Sequence, residues 1–153
     1  MNTINKQNNP NSSLNLPKYR LKYLSSLCSY FYKLLKSEAP EISELEFLNA
    51  YYHIEPGAIS INMSNGKVVK LAVGTSGARI METNVPSLMC REVRFYPSKV
   101  TERISNLIDS ATYDIVKASD DEVLMFDFSV PRGYLRVKSY RGKTFILEYA
   151  GGR

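Results

Sequence analysis

A chain of 153 residues with a hydrophobic fraction of 44% is sized for one folded domain and can bury a real core. Mean hydropathy is −0.25, and no apolar run approaches the roughly 18 residues a spanning helix needs, so no membrane span is expected. Twenty Lys/Arg against fifteen Asp/Glu give +5 and a pI near 9.2, a basic protein whose charge is sorted along the chain: residues 1–37 carry net +6 with no acid at all, 38–131 carry −6, and 132–153 carry +5. Segregated charge of this kind steers toward anions or toward an acidic patch on a partner.

Residues 1–16 are dominated by Asn and Ser and offer little to bury, so they read as a flexible arm before a single domain over 17–150, with 151–153 as a flexible tail. No apolar core of a signal peptide is present at the start. Pro17 opens a helix, with Asn15 as its expected cap. On helical periodicity Leu21, Leu24, Leu27, Cys28, Phe31, Tyr32, Leu34 and Leu35 share one broad sector. Lys22, Ser26, Ser29, Lys33 and Lys36 oppose it, and Tyr19, Tyr23 and Tyr30 line a border. Arg20 intrudes on the apolar side, and its long stem is expected to carry the charge to solvent. Three uses compete for such a helix: core packing, a homodimer seam or protein dock, and membrane attachment or organelle targeting. Core packing is preferred. Lys22, Lys33 and Lys36 stand as candidate contacts to an acidic partner.

SEAPE over 37–41 breaks this helix, and a short second helix is expected over 41–51, with Ile42, Leu45, Leu48 and Tyr52 as its apolar stripe. AISINM and KVVKLAV flank Ser64-Asn65-Gly66, a hairpin signal. A three-residue loop with left-handed Gly66 sets Ile59 beside Leu71 and Ile61 beside Val69, which keeps the apolar residues on one face. Gly74-Thr75-Ser76-Gly77 lacks the lysine and helix context of a phosphate loop and reads as a plain loop. Strands are expected near 78–81 and 92–95, and a helix over 98–111 with Val100, Ile104, Leu107, Ile108 and Ala111 on its buried face.

The last forty residues hold three strands, EVLMFDFSV, YLRVKSY and KTFILEY, with turns at Pro131-Arg132 and Tyr140-Arg141-Gly142. Period two places Leu124, Phe126, Phe128, Val130, Leu135, Val137, Phe145, Leu147 and Tyr149 inward. It places Val123, Met125, Asp127, Ser129, Tyr134, Arg136, Lys138, Tyr140, Thr144, Ile146 and Glu148 outward, with Asp127 opposite Arg136. The fold class is therefore α+β: an antiparallel sheet with a C-terminal three-stranded meander, packed against an amphipathic N-terminal helix and one or two further helices.

Tyr134, Arg136, Lys138 and Tyr140 bracket two cations with two rings, the elements of a single-stranded nucleic-acid platform, although no aromatic RNA-recognition motif is present. Little points to catalysis. His53 is the one histidine and reads as a polar residue at a helix end. Asp120, Asp121 and Glu122 read as a wet turn, and no nucleophile motif occurs. Cys28 and Cys90 read as reduced thiols of a cytoplasmic protein, and no metal or cofactor is expected. The C-terminal Gly151-Gly152 resembles a ubiquitin-like ending, but the preceding elements do not follow that order. The leading expectation is a non-enzymatic protein-interaction module (adaptor, chaperone or inhibitor of another macromolecule) binding an acidic surface. The alternatives are a nucleic-acid-binding module and a metal-dependent nuclease.

Overall fold

The computed structural model describes residues 13–15, 18–74, 77–89, 94–95, 97–118 and 122–148. Its elements in chain order are β1 (Ser13–Asn15), α1 (Lys18–Leu35), α2 (Glu44–Leu48), β2 (Tyr51–Glu55), β3 (Ala58–Asn62), β4 (Val68–Gly74), β5 (Gly77–Thr83), a 3-10 turn (Pro86–Leu88), β6 (Arg94–Phe95), α3 (Pro97–Ala118), β7 (Val123–Ser129), β8 (Tyr134–Ser139) and β9 (Thr144–Glu148). One nine-stranded sheet runs β1-β9-β8-β7-β2-β3-β4-β5-β6. Every neighbouring pair is antiparallel except β1 with β9. The fold is α+β, and the C-terminal meander is one end of a much wider sheet.

The apolar sector of α1 is spent inside the chain: Leu24, Leu27, Cys28, Phe31 and Leu35 are fully buried. The Phe31 ring stacks on Tyr52 at 5.9 Å, and Tyr52 stacks on Phe128 at 4.7 Å, which ties the helix to β2 and β7. This side of the sheet continues through Ile54, Ile59, Ile61, Val69, Leu71, Phe126, Leu135, Val137, Phe145 and Leu147, all buried. Burial pushes the Cys28 thiol up to about 12, so it sits in the core as a neutral thiol. Cys90 and Tyr149 lie outside the described residues, as do Thr75, Ser76, Asp120, Asp121 and the tail.

Several expectations need correction. Ser13–Asn15, read as part of a flexible arm, pair as an edge strand with Ile146–Glu148, and Asn15 belongs to that strand rather than capping a helix. Arg20 does not reach solvent. It is 1% exposed, and Nη1 donates to the carbonyl of Ala111 on α3, so burial of its charge comes with a hydrogen bond across the helix pair. The second helix is only five residues long, because Ser43 and Glu46 form a capping box and Asn49 ends it. Leu45 is accordingly 64% exposed, Phe47 takes the core position, and Tyr52 and His53 lie in a strand. Helix α3 runs on to Ala118, seven residues past the expected end. A bulge between Val123 and Met125 shifts the parity at the start of β7, so Val123, expected outside, packs against the core, while Leu124, expected fully inside, is half-buried.

The β3–β4 hairpin has the expected register, Ile59 with Leu71 and Ile61 with Val69, and Gly66 takes φ +92 in its turn. The hairpin tip docks on the start of α2. Asn65 Nδ2 donates to Glu46 Oε1 at 2.6 Å, Lys67 Nζ to the same oxygen at 2.9 Å, and the Ser43 amide to Glu46 Oε2 at 2.9 Å. The Ser43 amide and Lys67 hold the Glu46 carboxyl down at about 2, from an ordinary 4.5. A depressed carboxyl contributes stability that is complete above about pH 4.5 and is lost as the pH falls toward 2. Glu46→Gln is therefore expected to be less stable than wild type at pH 7, with the difference shrinking through that acidic window. Urea titrations at pH 7, 4 and 3 check this, and a pH-independent difference would count against it.

Candidate functional site

The side of the sheet turned away from the helices carries three adjacent rows of side chains, set by strand register. The first row is Tyr51, Ser129, Tyr134 and Glu148 on β2, β7, β8 and β9. The second is His53, Asp127, Arg136 and Ile146 on the same strands. The third is Met125, Lys138 and Thr144 on β7, β8 and β9. The alternation along β2 makes this possible: Tyr52 and Ile54 point into the core, so Tyr51, His53 and Glu55 point out.

Asp127 is the centre of the arrangement. It belongs to the outer face yet is 1% exposed, because its neighbours in the rows close over it. Its Oδ1 meets Nδ1 of His53, and its Oδ2 meets Nη2 of Arg136. Nε2 of His53 lies 3.4 Å from Glu55 Oε1, so the imidazole is fixed at both ends. The expected Asp127–Arg136 cross-strand pair is present. It is a buried carboxylate under a half-exposed guanidinium, and a buried carboxylate requires such partners. Burial acts to lower the Arg136 pKa, but the Asp127 charge beside it prevails and raises it. The Tyr51 and Tyr134 phenols are both raised, first by burial; the Asp127 charge adds to each, and Arg136 pulls the other way. Both rings thus present neutral hydroxyls at neutral pH.

Of the residues proposed from sequence, Tyr134, Arg136 and Lys138 are brought together on this face, and Tyr140 stands at its end in a turn, 59% exposed. Lys22 and Lys33 are exposed on α1, and Lys36 is exposed in the turn just after it. That helix packs against the other face, so the two sets lie on opposite sides of the sheet. Arg136 keeps 45% of its side chain in solvent and Lys138 is exposed, so no described element covers this part of the face. His53, Tyr51 and the buried state of Asp127 are not evident when 41–51 is read as one helix. The alternation of Tyr52 and Ile54 with His53 and Glu55 is the signal that could have revealed them.

A pocket of about 130 Å³ opens between the second and third rows, lined by Met125, Phe126, Asp127, Arg136, Lys138 and Thr144. Chemically, these rows offer hydrogen-bond donors, two tyrosine edges and the exposed cation Lys138, and the same side of the sheet carries exposed Arg79 far away on β5. The Asp127–His53 contact orients an imidazole. Ser60, paired with His53 in register, has its hydroxyl engaged by Asn62 Nδ2 at 3.2 Å, and Nε2 is turned to Glu55. Among the described residues no group of three or more His, Cys, Asp or Glu side chains gathers as a metal site, and no helix is long and apolar enough to cross a membrane. No protein-family model, curated protein or solved structure matches the chain.

Proposed function

We propose that the protein is a non-enzymatic interaction module of the cytoplasm, an adaptor, chaperone or inhibitor that binds an acidic surface of another protein through the open sheet face. The observation that carries this reading is the pairing of Arg136 with buried Asp127. A platform for single-stranded nucleic acid needs several cations available to phosphates. Here the Arg136 charge is matched by a carboxylate below it and Lys70 by Glu82 at 3.6 Å, which leaves Lys138 on β8 and, five strands away on β5, Arg79, too far apart to form one phosphate track. Polar rings with sparse charge suit a protein surface, where tyrosine contributes area and a hydroxyl together. A homodimer through the first helix would use the Tyr19, Lys22 and Tyr23 edge, because the apolar sector of that helix is filled within the chain.

The test is capture of partners from native extract on immobilised protein, with and without nuclease, beside titration with labelled single-stranded and duplex oligonucleotides at low and moderate salt. Protein capture is expected to survive nuclease, to weaken at high salt, and to drop on Tyr134→Ala and Lys138→Ala, both of which leave the buried pair intact. Tight oligonucleotide binding, or capture that vanishes with nuclease, would replace this reading with the nucleic-acid one.

A further inference from the structure

The pocket beside Arg136 identifies the chemistry of the contact more narrowly, on the reading that the open face binds protein. Its 130 Å³ is well below the roughly 300 Å³ at which small-molecule sites begin, and it has room for about four waters. It therefore suits one functional group of a larger partner. Two of its six lining residues are cationic and exposed, Arg136 and Lys138; Thr144 adds a hydroxyl, and Met125 adds an apolar wall. Asp127 lines it as well, but that carboxylate is already engaged by His53 and Arg136, which fixes the guanidinium and leaves its other donors available. The segment that supplies both cations is basic in sequence: 132–148 carries five Lys/Arg against one Glu.

We propose that this pocket receives the side-chain carboxylate of an acidic peptide segment of the partner, held between Arg136 and Lys138 with its methylenes on Met125. An internal Asp or Glu is the source, because the pocket lies between the outer rows of β7, β8 and β9 with no described element across it.

The experiment is an amide chemical-shift titration of the full-length, isotope-labelled protein with four probes. These are a blocked peptide of alternating Glu and Leu, its Gln/Leu counterpart, a Gln/Leu peptide whose free C-terminus is its one carboxylate, and a single-stranded thymidine oligonucleotide. The Glu/Leu peptide is expected to shift amides of Met125, Arg136, Lys138 and Thr144 and to bind at least about tenfold tighter than the Gln/Leu peptide, the gain of a charge-assisted contact. Lys138→Ala, at an exposed position, is expected to weaken it about three- to fivefold with the spectrum otherwise retained. Equal shifts from Glu/Leu and Gln/Leu peptides would overturn the carboxylate assignment. A response restricted to the free C-terminus would overturn the internal source. Shifts mapping to Lys22, Lys33 and Lys36 would overturn the pocket and leave the interaction reading in place, and so would no response to any probe. A response to the oligonucleotide alone would overturn both.

Discussion

Phe31→Asp is expected to unfold the protein or come close to it. Phe31 is fully buried, with its ring 5.9 Å from those of both Tyr30 and Tyr52. Truncating a buried Phe costs about 3–5 kcal/mol, and the substitution adds an unpaired carboxylate in apolar surroundings. Domains of this size are stable by only about 5–15 kcal/mol. Lys33→Asp, two residues on and exposed in the last turn of the helix, is the matched control and should cost no more than about 1 kcal/mol. Thermal melts of the two variants decide the point: equal melting temperatures would mean that α1 is peripheral to the core.

Arg136→Ala should be the most damaging change on the outer face, although Arg136 itself is half exposed. The cost arises beneath it, where Asp127 would be left with His53 and the Tyr51 hydroxyl as partners for a buried charge. Removing one member of a buried pair costs about 3 kcal/mol. The remaining imidazole and the water that reaches a half-open site reduce this toward about 2 kcal/mol. Replacing both residues, Asp127→Leu with Arg136→Leu, removes the stranded charge as well, so the double variant should be more stable than Arg136→Ala. Urea unfolding of the single and double leucine variants gives the coupling energy. A value near zero would mean that solvent, and not Arg136, satisfies Asp127.

The two ends of the fold differed in how much of them the sequence made legible. In the meander, strict alternation from Phe126 to Leu147 fixes strand order, register and the Asp127–Arg136 pair, because one face must be apolar for the sheet to bury it. The β3–β4 hairpin is legible for the same reason, helped by Asn65-Gly66. Over 41–51 the apolar spacing suits one helix until the capping box at Ser43 and the stop at Asn49 are weighed. That spacing hides the start of β2, and with it the strand that brings His53 to Asp127. Pairing over 74 positions leaves no local signature. The end of α3 is hard to read because Thr112, Ile115 and Val116 are weak helix formers, yet the helix continues to Ala118. The buried state of Asp127 follows from neighbours on three strands and is invisible to any reading of one strand at a time.

The order of the strands also bears on how the chain reaches this state. From β2 to β6 each strand pairs with the next in sequence, as do β7, β8 and β9, and all of these connections but β5–β6 are short hairpins. The runs meet at one line, β2 against β7, with α3 in the intervening chain. Closing that line requires a long loop to be ordered before its contacts repay the entropy, the kind of step that sets the folding rate in proteins rich in non-local pairing. Tyr52 on Phe128 supplies an apolar latch on one side of the line, and His53 on Asp127 a polar one on the other. The rows of the outer face cross that line, so the face is complete only once β2 and β7 are paired.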